Sequence, residues 1–277
     1  MINDYRNKAV LITGGTKGIG LATGLAFGGE GAQVTLTHRW GSADESEVKR
    51  KFAEAGAPEP LIMEADASID EDTIRLMEKI REDHDTLEVL VSNVCVVQIG
   101  KGIESWSKRA LFKSLGYSSW PLVAYLQQAK KIFGAYPRYV VGTSSDGPDV
   151  YYEGYEYVAI SKAVMETFCR YLTKHLQGED IRINMVRTRN VITDSALAVH
   201  GEDYPEFVRM FGGDSHFLTC EEVGDAILAL CSGLLDAMAG QVINVDKGGP
   251  FSDNLMRLYR RRGEFGLHAG DGPESDT

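Results

Sequence analysis

AVLITGGTKGIG, residues 9–20, is the stretch that decides the fold of this 277-residue chain. Its first five residues are apolar or β-branched and predict a short strand, and Gly14, Gly18 and Gly20 follow before a helical pattern. A strand that runs through a glycine-rich turn into a helix brings backbone amides close to a pyrophosphate, which the helix N-terminus stabilises. The stretch therefore predicts a dinucleotide-binding turn. An ordinary turn explains this context less well.

The same alternation of strand and helix continues along the chain. Short β-branched runs predict seven strands, at 9–13, 33–37, 61–64, 89–92, 138–143, 181–186 and 241–245, with amphipathic stretches such as 20–28, 45–55 and 70–84 between them. Strands joined by single helices need crossover connections, which make the sheet parallel and cover both of its faces. We therefore predict the α/β class, with a single doubly wound Rossmann fold and a parallel seven-stranded sheet over residues 1–262.

Two segments depart from this alternation. Residues 193–217 lack a strand pattern and predict a small helical lid over a substrate, or else an oligomer contact or a packed helix pair. The apolar residues suited to cover a flat aromatic ligand there are Val199, Tyr204, Phe207, Met210, Phe211 and Phe217. Residues 263–277 are rich in glycine and acidic residues and predict a disordered tail. Trp106 and Trp120 are expected in the core.

The composition narrows the function classes. A formal net charge of −11 argues against nucleic acid and against an anionic membrane surface, because both attract an excess of lysine and arginine. No run approaches the roughly 20 apolar residues of a membrane span. The four cysteines are far apart and include no Cys-x-x-Cys pair, which predicts reduced thiols and neither a metal site nor disulfides. We expect a cytoplasmic protein whose partner is a small molecule.

The end of the second strand bears on the choice of cofactor. An NAD-binding domain usually places an acid about 20 residues after the glycine turn, on the ribose 2′-hydroxyl. Here the strand ends in His38, Arg39 and Trp40, without a carboxylate. Arg39 and Lys17 are suited to a 2′-phosphate, which cationic side chains bind through charge-assisted hydrogen bonds. We predict NADPH. The alternative is that both cations are solvated surface charges.

The pattern Gly14-x-x-x-Gly18-x-Gly20 resembles the cofactor loop of the short-chain dehydrogenase/reductase family, and the likeness extends over nearly the whole chain. Asp66 and Asn93 match family positions after the third and fourth strands. The resemblance implies a nicotinamide cofactor bound by Gly14, Thr16, Lys17, Gly18, Ile19, Gly20, His38, Arg39, Asp66, Ala67, Asn93, Lys162, Val191 and Thr193. The family commonly forms dimers and tetramers, so a homo-oligomer is expected.

The family's reaction uses a serine, an upstream asparagine and a Tyr-x-x-x-Lys pair, whose tyrosine protonates a carbonyl oxygen as hydride arrives. Ser145 and Lys162 match the serine and the lysine, but Val158 stands in the place of the tyrosine, and the helix expected to carry the asparagine has none. Tyr155 has the Tyr-x6-Lys spacing of the family's enoyl-acyl-carrier reductase branch. Tyr157 would point about 100° around the helix from the family position, which makes it a poor substitute. The predicted catalytic residues are Ser145, Lys162 and Tyr155.

Three interpretations follow from this mixture of retained and altered positions. The first is an atypical ketoreductase that works without the family tyrosine, the second an enoyl-acyl-carrier reductase that uses Tyr155, and the third a non-catalytic NADP-binding sensor. The glycine turn, the residues His38 to Trp40, and Val158 are most similar to the atypical ketoreductases of aromatic polyketide pathways. That resemblance implies NADPH-dependent reduction of a polycyclic aromatic ketone of the angucyclinone type during antibiotic biosynthesis, and we favour the first interpretation.

Overall fold

Seven parallel strands form one sheet at the centre of the computed structural model, which describes residues 3–194, 196–197, 201–212, 217–251 and 253–266. The strands are β1 (Ala9–Ile12), β2 (Gln33–His38), β3 (Leu61–Glu64), β4 (Leu87–Ser92), β5 (Tyr139–Ser145), β6 (Arg182–Thr188) and β7 (Val242–Val245). Each paired strand is parallel to its neighbour. The predicted α/β class and the seven-stranded parallel sheet are confirmed.

The order of the strands reverses at β1. Across the sheet the strands lie in the order β3-β2-β1-β4-β5-β6-β7. β2 and β3 therefore lie on one side of β1, and β4 to β7 lie on the other side. β1 pairs with β4 in a register that sets Ile12 beside Val91. The connections that leave these two strands run in opposite directions and open a crevice at the carboxyl edge, which is where such sheets bind dinucleotides.

Helices cover both faces of this sheet. The helices in the described parts of the chain are α1 (Gly18–Gly29), α2 (Glu45–Glu54), α3 (Asp70–Asp83), α4 (Lys108–Ser118), α5 (Trp120–Phe133), α6 (Glu156–His175), α7 (Tyr204–Gly212), α8 (Cys220–Leu230) and α9 (Asn254–Arg260), of which α7 and α9 lie outside the two core layers. Short 3-10 turns lie at Ile103–Ser105, Gly249–Phe251 and Arg262–Phe265. The last turn extends beyond residue 262, the predicted end of the domain, and residues 267–277 lie outside the described structure.

The alternation of side chains along each strand divides the core into two layers. Val10 and Ile12 of β1 pack with α1, α2 and α8, on the face that contains the buried Phe27 and Phe52. Leu11, which points the other way, packs with α3, α5 and α6. Strands that are buried on both faces read as continuous apolar runs, which is why the strand pattern in the sequence was so clear.

Two tryptophans lie outside this core, contrary to expectation. Trp106 is 41% exposed and Trp120 is 45% exposed. Trp106 follows the 3-10 turn that precedes α4, and Trp120 is the first residue of α5, whose buried residues begin at Pro121. Large apolar side chains at the start of a helix need not face the sheet, so the expectation of burial was wrong. Among the described residues, no helix is long and apolar enough to cross a bilayer.

The described residues of the segment predicted as a lid lie outside the sheet, as expected. Its two ends are joined by an isolated bridge between Val191 and Leu218, and α7 lies between them. Of its apolar residues Tyr204 lines the cavity described below, whereas Phe207 and Met210 are 57% and 46% exposed and do not. Val199, the Phe211 side chain and residues 213–216 lie outside the described structure.

Candidate active site

A cavity of about 450 Å³ opens at the carboxyl edge of the sheet, beyond the ends of β1, β4, β5 and β6. This volume falls in the range of about 300–1,000 Å³ that is usual for ligand pockets. Eight of the predicted cofactor residues line the cavity: Gly14, Lys17, Gly18, Ile19, Asn93, Lys162, Val191 and Thr193. Thr16, Gly20, His38, Arg39, Asp66 and Ala67 are not part of its lining. The three predicted catalytic residues, Ser145, Lys162 and Tyr155, all line it.

The glycine turn has the close approach that a dinucleotide needs. Gly14 and Gly18 have φ angles of +61° and +50°, a region that L side chains rarely adopt. A Cβ on Gly20 would lie 2.4 Å from the Gly14 carbonyl oxygen. The turn therefore tolerates no side chain at Gly20, and the N-terminal amides of α1 remain open to an anion. These features fit the pyrophosphate of a dinucleotide.

Asn93 ties together the ends of three strands. Its Nδ2 donates to the carbonyl oxygens of Thr13 at 3.2 Å and Gly14 at 3.0 Å, and its Oδ1 accepts from Thr143 Oγ1 at 3.3 Å. Its backbone N–H donates to Thr13 Oγ1 at 3.0 Å. The side chain is thus engaged by protein groups of β1 and β5, and it shapes the cavity floor.

Aromatic side chains pack around Arg39, which is predicted to bind a 2′-phosphate. The Arg39 guanidinium lies over the ring of Trp40, 3.4 Å from its centroid, and over that of Tyr117 at 4.4 Å. Arg39 Nη1 lies 3.5 Å from Asp66 Oδ2, which also accepts from the Tyr117 hydroxyl at 3.0 Å. Burial raises the pKa of Asp66, but hydrogen bonds from Ser68 and Tyr117 and the Arg39 charge outweigh it and lower the pKa overall. Tyr117 carried no cofactor signal in the sequence, because it lies on α4, far along the chain.

His38 lies behind the side chains around Arg39 rather than on the cavity wall. It is 7% exposed, and its Nε2 lies 3.5 Å from Glu45 Oε1 at the start of α2. Within the described part of the chain, neither ring nitrogen has a hydrogen-bond partner. The other predicted cation, Lys17, lies 3.7 Å from Asp194 across the cavity mouth, and both of these side chains are mostly exposed.

The lysine and serine of the predicted catalytic set lie on two neighbouring elements. Lys162, on α6, is 5% exposed, and its Nζ donates to the Thr143 carbonyl oxygen at 2.7 Å. Ser145 ends β5, two residues after Thr143. The hydrogen bond therefore holds a buried ammonium group close to the end of the strand that presents the serine hydroxyl.

Tyr155 meets Ser145 directly. Tyr155 precedes the first residue of α6, and its hydroxyl donates to Ser145 Oγ at 3.1 Å. Burial raises the pKa of Tyr155 well above its usual range, although the Ser145 hydrogen bond opposes the shift, so the phenol keeps its proton at neutral pH. Val158, one turn further on, is 2% exposed and also lines the cavity. The apolar side chain of Val158 thus occupies the position at which the family has its proton-donating tyrosine.

The remaining tyrosines of this segment have other contacts. The Tyr157 hydroxyl accepts the Ser107 backbone N–H at 2.6 Å, and its ring is buried, away from the cavity. Tyr152 lines the cavity, donates to Asp146 Oδ2 at 2.7 Å and packs its ring edge-on to Tyr155. Tyr151 is 80% exposed. Tyr155 is therefore the tyrosine best placed to act on a ligand through Ser145.

Comparison with known proteins identifies the family. A family model described as enoyl-(acyl carrier protein) reductase matches residues 14–249. The chain belongs to the short-chain dehydrogenase/reductase family. It is an oxidoreductase of the kind that binds a nicotinamide cofactor.

Similar family members differ in reaction and in cofactor. The enoyl-acyl-carrier-protein reductase (NADH) FabI of Aquifex aeolicus is 26% identical over 267 residues, covering 93% of this chain and 95% of that protein. The NADPH-dependent aldehyde reductase 1, chloroplastic, of Arabidopsis thaliana is 24% identical over 262 residues, covering 89% and 87%. The crystal structure of the Aquifex aeolicus reductase superposes with a TM-score of 0.79 at 24% identity, covering 91% of this chain and 99% of that one. The family model establishes the family and the structural superposition shows the fold, so the substrate must be argued from the site.

Proposed function

We propose that this short-chain dehydrogenase/reductase is an NADPH-dependent ketoreductase. Its substrate in this proposal is a ketone of a polycyclic aromatic polyketide of the angucyclinone type, reduced during antibiotic biosynthesis without the family tyrosine. One observation carries the proposal: Ser145 and Lys162 face the cavity together with Val158, while Tyr155 is hydrogen-bonded to Ser145. The resemblance to the angucyclinone ketoreductase of simocyclinone biosynthesis, in the glycine turn, His38 to Trp40, and Val158, supports this class of substrate.

The hydrogen bonds of Ser145 make it a donor to the ligand. Its Oγ accepts from the Tyr155 hydroxyl at 3.1 Å and from the Gly147 N–H at 3.4 Å. A hydroxyl has one proton to donate, and in the described structure no protein acceptor takes that of Ser145. The proton is therefore available for a carbonyl oxygen in the cavity. Two donated hydrogen bonds polarise the hydroxyl and strengthen the bond it makes.

The reaction needs a hydride, a stabiliser for the developing alkoxide and a proton. The glycine turn at Gly14 to Gly20 would hold the pyrophosphate of NADPH, which when bound would supply the hydride. Ser145 stabilises the alkoxide, and the ammonium group of Lys162 lies close behind it on Thr143. A phenolic hydroxyl of the substrate beside its carbonyl provides a second, internal hydrogen bond and can pass its proton to the alkoxide. The protein then contributes mainly the orientation of the two reactants, which is worth several orders of magnitude in rate.

The choice of NADPH and the role of the lid belong to the same proposal. Arg39 is sandwiched between Trp40 and Tyr117 at the end of β2, where a 2′-phosphate would gain a charge-assisted hydrogen bond. Tyr204 at the start of α7 reaches the cavity and donates to Asn190 Oδ1 at 2.7 Å. Residues 193–217 act as the substrate lid, and the protein works in the cytoplasm.

Enoyl-acyl-carrier reduction is the second candidate. It is supported by the matching family model, by the Aquifex aeolicus relative and by the presence of Tyr155 in the cavity at Tyr-x6-Lys. In that reaction Tyr155 would donate to the thioester carbonyl itself. The hydrogen bond from the Tyr155 hydroxyl to Ser145 Oγ favours the ketoreductase, because Ser145 is then the group that donates to the substrate carbonyl.

The test follows NADPH oxidation with two substrates offered separately. One is an angucyclinone ketone with a phenol beside the carbonyl, and the other is an enoyl thioester. Turnover of the ketone to an alcohol is expected, with slower turnover of the matching methyl ether. Turnover of the thioester alone would overturn the proposal. Tight NADPH binding without either reaction would also overturn it, in favour of a dinucleotide sensor.

Three variants separate the roles of the hydroxyl groups. Ser145→Ala is expected to lower kcat on the ketone by about 100-fold, the usual cost of losing one oxyanion donor. Tyr155→Phe is expected to cost less, because it leaves the Ser145 donor in place. Tyr157→Phe, whose hydroxyl bonds to the Ser107 backbone, serves as the matched control. A Tyr155→Phe enzyme that is inactive beside a nearly normal Ser145→Ala enzyme would contradict this mechanism.

A further inference from the structure

A group of charged side chains lies directly behind the cavity floor and is not used by the proposed reaction. Glu166 of α6 accepts from Arg187 of β6 at both carboxylate oxygens, from Nε at 3.1 Å and from Nη2 at 2.7 Å. The same carboxylate accepts from Ser144 Oγ at 2.7 Å. The remaining guanidinium nitrogen, Nη1, pairs with Asp149 in the segment between β5 and α6. Residues of β5, of β6, of α6 and of the segment between β5 and α6 thus take part in one charged cluster.

Stability alone does not explain a buried pair of this kind. Glu166 is 3% exposed, and the side chain of Arg187 is 13% exposed. Removing two charges from water is costly, and well-packed apolar residues of similar volume are often as stabilising or more so. Two parallel hydrogen bonds between a guanidinium and a carboxylate instead fix the orientation of both side chains.

The cluster ends on residues next to the candidate catalytic groups. Ser144 precedes Ser145 and pairs in register with Arg187 across β5 and β6. Glu166 lies one helical turn beyond Lys162 and shares its face of α6. The cluster therefore connects the strand that presents the serine to the helix that presents the lysine.

The cluster also fastens the segment that carries the cavity tyrosines. Asp149 lies between Asp146 and Tyr152 in this segment, which runs from residue 146 to 155. A second pair holds the same segment, since Arg189 Nη1 lies 3.3 Å from Asp146 Oδ2. Asp146 in turn accepts from Tyr152, whose ring packs against Tyr155. Arg187 of β6 and Arg189 just after it thus form ion pairs with Asp149 and Asp146 of segment 146–155.

We propose that Arg187 and Glu166 are a pair of positioning residues. They hold the serine of β5 and the tyrosine-bearing segment 146–155 in register with Lys162, and neither touches the substrate. The kinetic part of this inference rests on the proposed function. Its structural part, the ordering of segment 146–155, can be measured without any substrate.

The test compares a shape-conserving double variant with a matched control. Glu166→Leu with Arg187→Met removes the buried charges and keeps the volume, whereas Lys130→Met with Glu179→Gln removes an exposed pair of 3.0 Å remote from the cavity. For the first variant we expect an unchanged or higher melting temperature and an unchanged NADPH affinity. We expect kcat to fall roughly 10- to 100-fold, because a misplacement of about 1 Å can cost about 100-fold. The control should change neither.

Hydrogen exchange supplies the second readout. Amides of residues 147–155 should exchange about tenfold faster in the double variant, because the segment has lost one of the two arginine–aspartate ion pairs described above. Asp149→Ala removes only the exposed end of the cluster, so it tests the same tie without risk to the core. Normal exchange and normal turnover in both variants would overturn the inference. If the wild-type protein reduces no ketone, the proposed function fails, and the exchange rates alone decide this inference.

Discussion

The close approach of α1 to the glycine turn makes Gly20→Ala a sharp perturbation. The added Cβ would lie 2.4 Å from the Gly14 carbonyl oxygen, 2.8 Å from Asn93 Nδ2 and 2.9 Å from Gly15 Cα. A real Cβ essentially never lies within 3.0 Å of such atoms. Two of the three contacts are to backbone, so a side-chain rotation cannot relieve them. The helix and the turn must move apart.

The magnitude follows from two opposing effects. Overpacking costs about 1–3 kcal/mol, and alanine regains up to about 1 kcal/mol as a better helix former than glycine. We expect a net loss of about 1–2 kcal/mol, which lowers the Tm by roughly 2–8 °C in a protein of this size. The same displacement alters the pyrophosphate cradle, and a loss of about 1.4 kcal/mol there weakens NADPH binding about tenfold.

Gly29→Ala is the matched control, because it makes the same change in the same helix. Gly29 is the last residue of α1, and a Cβ there meets nothing within 4 Å. Thermal unfolding followed by circular dichroism and titration with NADPH followed by fluorescence measure both effects. If Gly20→Ala has the Tm and the NADPH affinity of Gly29→Ala, the close approach is not what the turn requires, and the reasoning is refuted.

Three further predictions concern the cofactor, the tyrosines and pH. Arg39→Ala should weaken binding of NADPH about tenfold more than binding of NADH, since a hydrogen bond to a charged phosphate is worth about 1.5–3 kcal/mol; an equal loss in competition titrations with both cofactors would contradict its role. Tyr157→Phe should lose about 1 kcal/mol in urea unfolding, as its hydroxyl no longer accepts the Ser107 N–H, with kcat unchanged; a large fall in kcat would place Tyr157 in the reaction. Hydrogen bonds and the Arg39 charge lower the folded-state pKa of Asp66 below its ordinary value, so its contribution to stability is present above the ordinary pKa and is lost as pH falls through the lower folded pKa. Wild type should therefore lose unfolding free energy more steeply than Asp66→Asn between about pH 5 and pH 2, and parallel curves would show that Asp66 gains nothing from its partners.

The strands and the glycine turn were predictable because their causes are local. β1, for example, is apolar at every position since both faces of a parallel sheet are covered, and its strand signal stands out against the polar turns around it. Gly14 and Gly18 need positive φ angles that glycine adopts readily. Ser145, Lys162 and Tyr155 line one cavity, and their catalytic roles are part of the proposed function.

Other features arise only when distant elements meet. Tyr117 contacts Arg39 because α4 passes beside the end of β2, and the side chain of Glu166 is a buried acid only because Arg187 faces it from β6. Trp106, expected in the core, is exposed, since burial depends on which way a helix start faces. None of these contacts leaves a periodic trace in the sequence.

The sequence by itself determined the parallel sheet, the nucleotide-binding turn and the loss of the family tyrosine at Val158. Each depends on neighbouring residues or on a fixed spacing, which the order of amino acids contains. Only the tertiary structure decided that the Tyr155 hydroxyl is hydrogen-bonded to Ser145. It also decided that Arg187 of β6 and Arg189 just after it pair with Asp149 and Asp146 in the segment between β5 and α6. The physical reason is that hydrogen bonds and ion pairs act over a few ångströms, and crossover connections bring together residues far apart along the chain.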